Sequence, residues 1–174
     1  MKHLKEHDPY IHFFCVSLYN TCLRPNELRH VVIRDIDLEK RVLSVRSDIT
    51  KNKKDAMLPI PQAYYEELVK LNLDTYPPEY YLTGNTTNII GKQSTSNNVQ
   101  YKRFMKHLKH LKLDKKNYTL YSFKHYSNVK RVENGWSLAD IMKVNRHSSI
   151  GMTEIYLKDL TKTTDIQSKD LPAI

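Results

Sequence analysis

The sequence predicts an α+β domain, mostly helical, with a small three-stranded antiparallel sheet between two groups of helices. Three observations carry this reading. Apolar residues recur at helical spacing over 8–22, 62–72 and 99–113 and in three stretches from 121 to 160. Between the first two of these, over 33–60, the period shifts to alternation. A length of 174 residues with 40% hydrophobic content is enough for one domain with a buried core.

Taken in order, Asp8 can cap the first helix and Pro9 suits its first turn, with Tyr10, Phe13, Phe14 and Ser17 continuing the spacing. Leu23-Arg24-Pro25 breaks it, and Asn26 is placed to cap a short helix, Glu27–Val32. Ile33, Asp35 and Asp37 then alternate with Arg34, Ile36 and Leu38, Glu39-Lys40 makes a turn, and Val42–Arg46 is extended. Thr50–Asp55 reads as a polar hairpin loop, with Ala56–Ile60 returning. Gln62–Asn72 is helical. Tyr80-Tyr81-Leu82 allows a further strand, and 84–98 reads as a polar surface loop.

Residues 99–113 form a helix with Tyr101, Phe104, Met105, Leu108 and Leu111 on one face and lysines on the other. Tyr121–Asn134 is a helix ended by Gly135, the residue favoured just past a C-terminus. Ser137 and Asp140 form a capping pattern that opens a helix over 138–146. Gly151 and Thr153 open the last helix, about 153–160, and the polar stretch from Lys162 is expected to be a flexible tail. No internal repeat or interdomain linker appears.

Composition narrows the functional classes. Four glycines and no biased tract exclude collagen-like and low-complexity chains. No apolar run approaches the roughly 20 residues a spanning helix needs, so no membrane partner is expected. The charged start lacks the apolar stretch of a signal peptide. Cys15 and Cys22, on a helix expected to be buried, suggest a reduced, cytoplasmic protein rather than a disulfide scaffold.

Lys and Arg number 28 against 19 Asp and Glu, a net charge of +9, and the excess is uneven. Residues 101–131 carry ten Lys and Arg against one acid, Asp114. Such a stripe suggests a polyanion partner, with a merely solvated basic face as the alternative. Lys102, Arg103, Lys106 and Lys109, on the helix over 99–113, are the candidate DNA contacts.

No Gly-rich phosphate loop and no Cys-x-x-Cys pair is present. His107 and His110 lie one turn apart, but no Asp, Glu or Cys sits near them in sequence, so no metal site is expected. Three local clusters stand out instead: Thr21-Cys22-Leu23-Arg24-Pro25-Asn26-Glu27-Leu28; Tyr121-Ser122-Phe123-Lys124-His125; and Asn145-Arg146-His147-Ser148-Ser149, followed by Thr153-Glu154-Ile155-Tyr156.

Together these resemble the tyrosine recombinases, the phage-integrase family. There a T-G-L-R-x-x-E-L segment brings a first arginine. An H-x-L-R-H segment brings a second arginine and a histidine. An L-G-H-S-S…T-x-x-Y segment brings a histidine and the nucleophilic tyrosine. Thr50-Lys51-Asn52…Leu58-Pro59-Ile60 resembles the family's β-hairpin with its catalytic lysine. The resemblance covers roughly 8–160. It implies a tyrosine recombinase-like catalytic domain over 1–161, followed by the tail at 162–174. The sequence departs from the pattern at four positions: Cys22 and Arg146 stand where glycines are usual, Tyr121 stands for a histidine and Lys124 for an arginine.

The resemblance implies site-specific DNA cleavage and rejoining through a covalent 3′-phosphotyrosyl link, as in the integrases of mobile elements. Tyr156 would be the nucleophile, with Arg24, Lys124 and His147 stabilising the transition state. Lys51 would protonate the leaving 5′ oxygen, favoured over Lys53 and Lys54 by its spacing from Pro59. Tyr121 and His125 would support the site.

These residue types suit the chemistry. Attack on a phosphodiester builds negative charge on the non-bridging oxygens, which fixed cations and hydrogen-bond donors stabilise. A phenol with an ordinary pKa of about 10 needs help to ionise. Neither metal nor ATP is required, so no cofactor is expected. The partners implied are double-stranded DNA and other protomers of the same protein on DNA, the tail docking on a neighbour. Family members carry a further N-terminal DNA-clamping domain, so a fragment or truncated gene product is expected. The alternatives are a decayed recombinase acting only as a DNA-binding module, which Tyr121 and Lys124 favour, and an RNA-binding domain, for which no aromatic strand motif is present.

Overall fold

The computed structural model describes residues 1–96 and 98–160. The tail expected over 162–174 lies outside them. Its elements run α1 (Lys2–His7), α2 (Pro9–Thr21), α3 (Pro25–Leu28), β1 (Ile36–Asp37), β2 (Val42–Val45), β3 (Ala56–Pro59), α4 (Gln62–Val69), β4 (Tyr81–Asn85), β5 (Ile89–Gly91), α5 (Val99–His110), α6 (Tyr121–Glu133), α7 (Leu138–Asn145) and α8 (Ile150–Leu160). The α+β class and the three-stranded sheet are as expected. The strands β1-β2-β3 pair antiparallel, with Leu43 opposite Leu58 and Ser44 opposite Met57.

Asp8 caps α2 as expected, its carboxylate accepting from the Ile11 amide at 3.0 Å. The same carboxylate accepts a fork from Arg103 at 2.8 Å on both oxygens, which ties α5 to the α1–α2 corner. The helix α1 was not legible because it buries a single residue, Leu4. α2 fills the centre with Tyr10, Ile11, Phe13, Phe14 and Leu18, packed with Leu43, Leu58, Tyr64, Leu68 and Leu82 from the strands and α4. Burying each large side chain contributes about 1.5–3 kcal/mol, so this cluster supplies the main apolar drive.

Four expectations are corrected. The helix expected over Glu27–Val32 with an Asn26 cap is the single turn Pro25–Leu28, because Arg24 is its N-cap and Glu27 accepts from the Arg24 amide at 2.8 Å. Residues 33–35 form a 3-10 turn rather than strand. Residues 84–98 contain β5, which pairs with β4 as a second sheet. The strand signal is weak there because Gly84 and Gly91 face each other so closely that a Cβ on Gly84 would lie 2.6 Å from the Gly91 carbonyl oxygen. Finally, Tyr101 and Leu111 are exposed, because α5 buries only the narrow stripe Gln100, Phe104 and Leu108.

Candidate active site

The site is built on α6, whose inward face is polar. Lys124, Ser127, Asn128 and Arg131, spaced at i, i+3, i+4 and i+7, are all buried. This face packs on the C-terminal end of α2. Arg131 donates from Nη2 to the Asn20 carbonyl at 2.9 Å and from Nη1 to Cys22 Sγ at 3.4 Å, and it also reaches Ser127. Ser127 in turn donates to the Tyr19 carbonyl. The orphan carbonyls of Tyr19 and Asn20 at the end of α2 are thus satisfied by a hydroxyl and a guanidinium. Arg131 and Lys124 therefore do not belong to an outward basic stripe, as their place in 101–131 suggested: both side chains point inward.

Cys22 ends α2 in the left-handed region, φ 53, and its sulfur lies within reach of Ser127 and Asn128. It is a free, buried thiol, as is Cys15. Glu27, 2% exposed, gathers the cations beside it. It accepts from Arg24 Nη1 at 2.7 Å and from Arg146 Nη2. Arg146 sits past the C-terminus of α7 at φ 57, and its side chain turns inward until it is 4% exposed. Lys124 makes no ion pair among the described residues, and burial, reinforced by the Arg146 and Arg24 guanidinium groups, lowers its pKa to about 8.

Tyr156, on α8, comes to the same place. Its Oη lies 2.6 Å from His125 Nδ1 and 3.3 Å from Asn128 Nδ2. Burial pushes its pKa up to about 12, against the hydrogen bond from Asn128. The His147 ring stands edge-on to it, with centroids 5.6 Å apart, and His147 Nδ1 lies 2.9 Å from Thr153 Oγ1. Burial and then the nearby Lys124 lower the pKa of both His125 and His147, so both imidazoles are neutral at pH 7. Asn128 and Asn145 exchange amide hydrogen bonds at 3.2 and 2.6 Å, fully buried, and join α6 to α7 beneath the tyrosine.

The fold thus gathers Arg24, Lys124, His125, His147 and Tyr156 around the polar face of α6. Tyr121 is exposed at the first turn of that helix, its ring tilted against His125 at 6.5 Å. Lys51 stands exposed in the loop between β2 and β3, and no contact joins it to the cluster among the described residues. Lys102, Lys106 and Lys109 are exposed on α5. Arg103 is committed to Asp8, which gives it a structural partner. His107, which has no carboxylate near it in sequence, is brought within 3.2 Å of the same Asp8. No group of three or more His, Cys, Asp and Glu among the described residues could hold a metal ion. No helix among them is long and apolar enough to cross a membrane.

The sequence profile of the Phage integrase family matches residues 1–163. The chain belongs to that family. A probable integrase/recombinase of Acholeplasma phage L2 is 28% identical over 148 residues, covering 83% of this chain and 47% of the relative. The Tn1549 transposon integrase, solved in complex with a circular intermediate DNA, superposes with a TM-score of 0.66 at 20% identity, covering 90% of this chain and 55% of that one. The XerA recombinase superposes with a TM-score of 0.64 at 20% identity, covering 92% and 60%. These likenesses show that the fold is that of the family. The chain spans about half the length of the curated relative it matches.

Within the family fold, four residues of the site were missed from sequence. Asn128, Asn145, Glu27 and Arg146 belong to no catalytic box as functional positions. A signal existed for the first: a helix whose inward positions 124, 127, 128 and 131 are all polar is not packing for volume. Glu27 was visible as a box residue, but not as the counter-ion of two arginines.

Proposed function

We propose that this chain is the catalytic domain of a tyrosine-type site-specific DNA recombinase of a mobile element, cleaving and rejoining strands through a 3′-phosphotyrosyl intermediate. The observation that carries the reading is the meeting of Tyr156 with His125, His147 and the buried cations around Glu27. Tyr156 Oη attacks the scissile phosphorus and gives its proton to His125 Nδ1, which is neutral and 2.6 Å away. The bond from phosphorus to the 5′ oxygen breaks, and that oxygen takes a proton from Lys51 on the β2–β3 loop. Arg24, Lys124 and His147 stabilise the charge that builds on the non-bridging oxygens. One phosphoester replaces another, so the step runs in both directions, and rejoining is its reverse with a new 5′ hydroxyl.

Double-stranded DNA is the partner, held in part by the exposed Lys102, Lys106 and Lys109, and other protomers assemble on it. The Acholeplasma phage relative and the transposon integrase lend support to this reading. Cytoplasmic location and a domain over 1–161 with the tail at 162–174 docking on a neighbour belong to the same proposal. A second reading, a DNA-binding module without cleavage, takes its support from Lys124, buried without an ion pair where an arginine was expected. Nicked duplexes from which cleavage releases a short fragment separate the two. An adduct that survives a denaturing gel means cleavage; retardation on a native gel with no adduct sinks the enzyme reading.

A further inference from the structure

Arg146 is held at a backbone position that favours glycine, φ 57, yet it carries the longest of side chains inward. Only one of its donors is used. Nη2 is fixed by Glu27, while Nε and Nη1 are buried with no hydrogen-bond partner. Its neighbours are cations: Arg24 shares Glu27, and the Lys124 ammonium feels both guanidinium groups. Two buried cations and the partly exposed Arg24 against one carboxylate leave an excess of positive charge, a costly arrangement unless an anion completes it. Lys124 offers that anion a point charge; Arg146 adds a planar guanidinium with free donors on Nε and Nη1.

We propose that Arg146 is a phosphate-binding residue of the site, donating from a free guanidinium N–H to a non-bridging oxygen of the scissile phosphate beside Lys124. Glu27 acts as its positioning residue, holding Nη2 and so fixing the plane of the guanidinium. The inference rests on the reaction proposed above for its substrate, and on the unpartnered donors and clustered cations for the anion. Glycine is favoured at φ 57, so Arg146→Gly removes the guanidinium without straining the backbone, and its thermal unfolding checks that it folds.

Two arms test the inference. In the first, orthovanadate is titrated into the labelled protein and the arginine Nε–H resonances are followed by NMR. The Arg146 resonance, assigned by its loss in Arg146→Gly, is expected to move, with affinity falling about tenfold in that variant. A resonance that stays still while that of Arg24 moves overturns the proposal.

In the second arm, duplexes selected from a randomised nicked pool by covalent capture on the wild-type chain are cleaved by Arg146→Gly, expected to be slower by roughly 10²–10³. Added guanidinium, or a methylphosphonate that removes the charge on the scissile phosphate, is expected to restore part of the rate. A purely structural role gives neither rescue, and their absence counts against the inference. If the wild type captures no duplex at all, the cleavage reading fails, and the vanadate arm still decides whether Arg146 binds the anion.

Discussion

Two helices packed on each other, α2 and α6, bury residues at the same spacing with opposite chemistry. The inward face of α2 is Ile11, Phe14, Cys15 and Leu18; that of α6 is Lys124, Ser127, Asn128 and Arg131. The first face fills volume and draws its stability from water exclusion. The second carries donors and charges that must each find a partner, and Arg131 Nε does not; past the end of α7, two nitrogens of Arg146 are likewise unsatisfied. The N-terminal half is therefore arranged for stability, and the α6 side gives up stability to hold charge around Tyr156. Substitutions in the two regions should separate folding from chemistry.

The largest separation is expected from Tyr156→Phe. It removes the oxygen proposed as nucleophile and almost no contact area, so covalent linkage to DNA should vanish while native-gel binding and thermal midpoint stay nearly unchanged. If the Phe variant still forms adduct, another tyrosine near α6 (Tyr118, Tyr121 or Tyr126) is the nucleophile. On the other face, Phe14→Ala leaves a cavity in the apolar core, and should cost about 3–5 kcal/mol in urea denaturation. A cost under about 1 kcal/mol would show that the α2 core is not where the stability lies.

The contrast also explains what could be read from the sequence. The α2 cap, the hairpin of β2 and β3, the Ser137 cap and the Gly135 stop were legible because each rests on a local rule: a side-chain acceptor, an alternation, a positive φ. His147 and Tyr156 were legible as a pair because their segment resembles the family's, and the fold sets the two rings 5.6 Å apart. The inward direction of Lys124 and Arg131 was not, since counting charge along a chain says nothing of which face carries it. The second sheet escaped because two glycines that must face each other read as a loop. Arg146 was visible only as an exception to a glycine, and its direction depends on where Glu27 sits in the fold.

Lys124→Met sharpens the comparison further, since it replaces a buried ammonium with an apolar chain of similar length. Cleavage should fall by roughly 10²–10³, about 3–4 kcal/mol of transition-state stabilisation. Stability at pH 7 should stay level or rise, because the charge lost was unpaired by any carboxylate of its own. Equilibrium unfolding and single-turnover cleavage on the same preparation check both. A variant that loses stability and keeps its rate would reverse the assignment, putting Lys124 among the groups that hold the fold.

The smallest effect is the pH dependence that Lys124 imposes, and its sign follows from its burial. The lysine titrates near 8 in the folded chain and near 10.4 when unfolded, so between these values the unfolded chain binds more protons. Stability contributed by this group is therefore lowest below about pH 8, where both states are charged and the folded one bears the full cost of burying the ammonium. It rises through the window from about 8 to 10.4 as the folded form sheds the proton. The measurement is the difference between wild type and Lys124→Met, which share every other titrating group. Any stability advantage of the Met variant at pH 7 should narrow steadily as pH rises from 8 to 10. Bound DNA reverses the tendency: a phosphate beside the ammonium favours its charged form, so cleavage should persist to higher pH than the free pKa suggests. A gap that stays constant across this range would mean that Lys124 keeps its ordinary pKa, and that solvent reaches it.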